Sequence, residues 1–83
     1  MVKLMSLPDL LIPDAVKTEA IQILADIERA DGVLEMSRLA GVAEGFTLGL
    51  ACSQGLAQAE LDTLERVFSS SVSRRMAVLR SQA

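Results

Sequence analysis

An all-α fold is what this sequence predicts, on three observations. Apolar residues repeat with the helical period in each of three segments. Short glycine-containing stretches, Ala30-Asp31-Gly32 and Ser53-Gln54-Gly55, separate those segments. The aromatic content is 2 %, with two Phe and no Tyr or Trp, so a core must come from Leu, Ile, Val, Met and Ala, most of which suit helices. The expected architecture is a three-helix chain, over about 14–30, 33–54 and 57–79, with an antiparallel helical hairpin, forming a dimeric helical bundle. An apolar lead-in, residues 1–12, precedes a single helical domain over 13–83.

The first helix opens at Pro13, whose missing N–H costs nothing at a helix start. From Asp14 to Ala30 the residues Val16, Ala20, Ile23, Leu24, Ile27 and Ala30 form one stripe. Thr18, Gln22, Asp26 and Arg29 fall on the other side. Gly32 is placed to end this helix in a left-handed cap.

The second helix, from Val33 to Gln54, has an unusual wheel. Leu39, Val42, Ala43, Phe46 and Leu50 make a bulky apolar face, and the polar wedge is narrow, near Glu44 and Thr47. A helix apolar on nearly all sides is expected to be buried on nearly all sides, hence central. Gly41, Gly45 and Gly49 stand in a row, flanked by Ser37, Leu48 and Cys52. Each interior glycine costs about 1 kcal/mol relative to Ala. A row of them is explained if another backbone approaches closely. That backbone can belong to the first or third helix of the same chain, to a second copy, or to a foreign helix or ligand. The expected contact set is Gly41, Gly45, Gly49, Leu48 and Cys52.

Gly55 is suited to the C′ position after the second helix, with Leu56 supplying the hydrophobic contact of a Schellman turn. Glu60 occupies the acidic place in the first turn of the third helix. Leu61, Leu64, Phe68, Val72 and Leu79 form its stripe. The Ser-rich run at 69–73 predicts a kink or fraying, since serine competes for backbone bonds. Arg75 breaks the pattern by falling on the apolar face, either reaching out to water or pairing with an acid of another chain such as Asp26, Glu35 or Glu44.

Charge and composition narrow the functions. The chain of 83 residues has a net charge of −3, yet Arg66, Arg74, Arg75 and Arg80 lie in a C-terminal stretch without any acid. Mean hydropathy is +0.38 and 51 % of residues are hydrophobic, which favours association because one small core cannot hide so much apolar surface. The longest uncharged run, Gly45 to Ala59, is too short and polar to span a membrane. The N-terminus reads as mature sequence and not as a signal peptide. Cys52 is the only cysteine, which excludes an internal disulfide and makes a reducing cytoplasm the expected location. With no His and one Cys there is no zinc ligand set, and general acid–base equipment is sparse. No cofactor, metal or catalytic residue is expected.

Residues 39–51, LAGVAEGFTLGLA, resemble the turn and second helix of a helix-turn-helix DNA reader, with Gly41 at the turn. The resemblance implies a small transcriptional regulator. Such readers place basic or amide side chains on the recognition helix, whereas Ala43 to Ala51 offers Glu44 and Thr47 and no base. The leading expectation is therefore a non-enzymatic helical interaction module, homodimeric, that binds and modulates another protein, of the kind found among bacterial, plasmid and phage accessory proteins. Contact with nucleic acid is expected to be absent or nonspecific, through phosphate contacts of Arg74, Arg75 and Arg80.

Overall fold

The amphipathic stripes become three helices, α1 (Asp14–Glu28), α2 (Val33–Ser53) and α3 (Gln58–Ser81). They come from a computed structural model that describes residues 12–82. Most of the lead-in, residues 1–11, lies outside the described residues, whereas Ile12 is already part of the core. No strand occurs among the described residues.

Each helix packs on the other two, α2 with α3 most extensively. The expected stripe of α1 is the one that is used: Ala20, Ile23 and Ile27 are buried, with Val16 and Leu24 half-buried against them. From α2 come Met36, Leu39 and Ala43, and from α3 Leu64, Phe68 and Leu79. Phe46 meets Phe68 edge to face at 6.3 Å between ring centroids, the favoured geometry for two aromatic quadrupoles.

The helix ends follow local chemistry, with two shifts from expectation. Pro13 serves as the N-cap of α1, and its carbonyl accepts the Lys17 N–H at 3.0 Å. Gly32 does not supply a left-handed cap. Its φ of −159° is extended, and it is the N-cap of α2, because α1 stops at Glu28 and Arg29 still has right-handed helical angles. At the other end of α2 the left-handed residue is Gln54, φ 57°, and not Gly55. The Gln54 N–H bonds to the Ala51 carbonyl at 3.3 Å and the Gly55 N–H to that of Leu50 at 3.4 Å. This is the Schellman pattern set one residue early. At Gly55 a Cβ would stand 3.3 Å from the Ser53 hydroxyl, which itself donates to the Leu50 carbonyl, so a side chain there requires that hydroxyl to shift slightly. Glu60 does what its position suggests, its carboxylate accepting the Ala57 N–H at 3.0 Å.

Two further expectations are corrected. The serine run does not break α3, which is continuous through residues 69–73. Ser71 points inward, only 2 % exposed. Nor is α2 buried all round. Val42, read as part of the bulky face, is 41 % exposed, and Thr47, read as part of the polar wedge, is buried. Burial of Thr47 is possible because its hydroxyl donates to the Ala43 carbonyl at 2.8 Å, so that hydroxyl is not left unpaired; the buried Ser71 hydroxyl has no such partner among the described residues.

Candidate interaction surface

Chemistry-bearing side chains are sparse, so the site is built from shape. The core side of α2 is set by Met36, Leu39 and Ala43. At about 100° per residue the glycines fall away from it. Gly41, Gly45 and Gly49 are all exposed. Apart from the neighbouring backbone of α2 itself, a Cβ placed on any of the three meets no heavy atom of the described residues within 4 Å. The reading in which α1 or α3 fills the row is thereby overturned, because both helices pack on the opposite side of α2. Around the row stand large apolar side chains in water: Leu48 is 65 % exposed and Leu34 88 %. Val42, Ser37 and Cys52 are also exposed. Of the expected contact set, Leu48 and Cys52 share the solvent-facing side of α2 with the glycines.

A second feature adjoins this face. Between α2 and α3 runs an open groove of about 420 Å³. Ala43, Thr47 and Phe68 form its buried part; Glu44, Leu48, Glu65 and Ser69 stand exposed along it. No residue of α1 lines it. Small side chains create the gap, with Ala40 and Ala51 on α2 and Ser69 and Ser73 on α3. The sequence gives no warning of it, because missing bulk means something only once the two helices are known to face each other. Leu48 belongs to both features and makes them one continuous surface.

The helix-turn-helix resemblance requires a turn at Gly41. Residues 39–51 are instead helical without interruption, so the segment lacks that shape. The three C-terminal arginines are not equivalent. Arg74 and Arg80 are exposed, whereas Arg75 is half-buried and its Nε donates to the Ala30 carbonyl at 2.9 Å. Arg75 thus ties α3 to the α1–α2 turn. Of the acids considered as its partners in another chain, Asp26 pairs with Arg29 at 2.7 Å and Glu35 with Arg38 at 2.6 Å, whereas Glu44 is in no ion pair among the described residues. The hydrogen bond from Arg38 holds the Glu35 carboxyl below its ordinary value, and the same bond raises Arg38.

Among the described residues no group of His, Cys, Asp and Glu is arranged to hold a metal ion. No helix there is long and apolar enough to cross a membrane. Comparison with protein-family models, curated proteins and solved structures finds no match to this chain.

Proposed function

We propose that this protein is a cytoplasmic helical interaction module that self-associates and acts by binding and modulating another protein, without turnover of its own. The observation that carries the reading is the outer face of α2, where exposed Leu34, Val42 and Leu48 surround a row of glycines that costs about 3 kcal/mol of helix stability and contacts nothing among the described residues. Exposed apolar patches of this kind mark interaction sites. A row without Cβ atoms lets a partner backbone come close.

The sequence supports a two-fold contact. Ser37, Gly41, Gly45, Gly49 and Ser53 are spaced symmetrically about Gly45, as are Val42 and Leu48. An isologous interface pairs one patch with itself. An antiparallel crossing at Gly45 sets Gly41 against Gly49 and Val42 against Leu48 of the other copy, closing a dimeric bundle. Within each copy α2 and α3 form an antiparallel hairpin. That reading is supported by the short 54–57 link, by the Phe46–Phe68 contact and by the way groove residues of α2 and α3 face one another.

Sedimentation and capture test the reading together. The wild-type chain should show a concentration-dependent mass reaching that of two chains. It should also retain a host protein that rebinds when both are purified. Leu48→Asp should lose both properties, and Ser70→Leu, on the exposed side of α3, should keep both. A chain that stays monomeric at every concentration and has no reconstitutable partner refutes the proposal.

A further inference from the structure

The groove between α2 and α3 has a character separate from that of the glycine row. Its floor is Ala43, Thr47 and Phe68, with the Thr47 hydroxyl spent on the Ala43 carbonyl, and Ala40, Ala51 and Val72 add small or apolar surface beside it. Its charged rim is wholly acidic, with Glu44 on the α2 wall, Glu65 on the α3 wall and no base along its length. The ion pairs among the described residues are Asp26–Arg29 and Glu35–Arg38, so neither rim carboxylate is neutralised by a neighbour there. A second copy laid groove to groove would bring both pairs of carboxylates together, and like-charge juxtaposition disfavours that contact. From Ala40 to Ala51 the wall of α2 runs roughly 16 Å at 1.5 Å per residue, which is three turns of a partner helix.

We propose, building on the reading of this chain as a binding module, that the groove receives an amphipathic helix of a partner protein, whose apolar stripe is flanked on both sides by Lys or Arg. A helix seated in a groove is held by apolar anchors at i, i+3 or i+4, and i+7. Three turns supply that set. Bases on the two flanks then meet Glu44 on one wall and Glu65 on the other, which fixes the register and the type of partner more than it adds affinity.

Designed peptides of roughly four turns with one common Leu/Ala stripe serve as probes, one flanked by Lys and one by Glu. They are titrated into the full chain by calorimetry. Amide chemical shifts then locate the contact. The Lys-flanked peptide should bind with shifts along Ala40–Ala51 and Glu65–Ser73, and the Glu-flanked peptide should not bind. The Glu44→Lys, Glu65→Lys double variant should lose the Lys-flanked peptide by at least about tenfold, and Ser69→Trp, which fills the groove without changing charge, by a similar factor. Circular dichroism confirms that each variant is folded.

Equal binding to wild type and both variants would overturn the groove assignment while leaving the module reading in place. Shifts confined to the glycine row would do the same. A wild-type dimer that excludes the peptide and falls apart in the double variant would show a second copy in the groove and overturn the proposal too. If no peptide binds and neither self-association nor a host partner is found, both readings fall.

Discussion

Arg75 on α3 and Ala30 in the α1–α2 turn are 45 residues apart in sequence and joined by a 2.9 Å hydrogen bond from the guanidinium to the carbonyl. A charged donor is held here against a turn carbonyl just beyond the C-terminal end of α1, on the side where the negative end of the helix dipole lies. Arg75→Ala should cost about 1.5–3 kcal/mol, the usual range for a hydrogen bond to a charged group. Arg74→Ala, one position away and exposed, should change stability by less than about 0.5 kcal/mol. Urea denaturation of the two variants decides it: equal effects would deprive the Arg75 bond of any special role.

Gln54 holds a left-handed conformation at φ 57° that glycine adopts without cost. Gln54→Gly should therefore stabilise the chain by about 1 kcal/mol. Thermal melts would show this as a rise of several degrees, about 4–8 °C per kcal/mol for a chain of this size. A fall in melting temperature would mean that the glutamine side chain contributes more than its backbone costs.

At Gly45 folding and association should separate. Apart from the neighbouring backbone of α2 itself, no heavy atom of the described residues lies within 4 Å of a Cβ there. Gly45→Ala in a dilute, monomeric sample should gain about 1 kcal/mol from helix propensity. On the two-fold contact proposed above, Gly45→Leu should remain folded yet self-associate less than the parent. Denaturation at low concentration and light scattering at high concentration read the two effects. A Gly45→Leu chain that stays dimeric would remove the row from the interface.

Glu35 is the group whose ionisation the fold favours, through its hydrogen bond to Arg38. Its folded pKa is depressed, so whatever stability the pair lends is complete above the ordinary carboxylate range. It disappears as pH falls through the lowered value. The pair is solvent-exposed, so the direction is the prediction. In an NMR titration the Glu35 carboxyl should titrate below the usual glutamate range and return to it in Arg38→Gln. An unchanged midpoint in that variant would mean that Arg38 does not act on it.

The stripes of α1 and α3 were legible in the sequence because each has a polar back, so Ala20, Ile23 and Ile27 or Leu61, Leu64 and Phe68 point one way only. The second helix lacks that contrast. With apolar residues almost all round, its wheel carries no phase, and nothing in it says that Val42 faces water and Thr47 the core. The glycine row was visible as a pattern, but spacing does not say which backbone comes near. The left-handed cap was off by one because Gln54 and Gly55 both fit the Schellman arrangement. Arg75 stood out, yet its acceptor is a main-chain carbonyl, which no residue type announces. The groove was hidden for the same kind of reason, since its walls are alanines and serines that look ordinary until α2 and α3 are set side by side.

The bare glycine ridge also bears on motion. Three successive turns of α2 have no side chain to screen their peptide groups from solvent on that side, and helices bend where water competes for carbonyls. Helices ordinarily loosen first at their ends. In α2 the low-propensity glycines sit instead near the middle, between the Glu35–Arg38 clasp and the left-handed turn at Gln54. Local opening draws on the low-stability end of a protein's range, so amide hydrogens from Gly41 to Gly49 should exchange faster than those on either side in α2. If the ridge is the contact proposed above, a partner backbone seated there would shield those peptide groups, and exchange of the Gly41–Gly49 amides should slow on association.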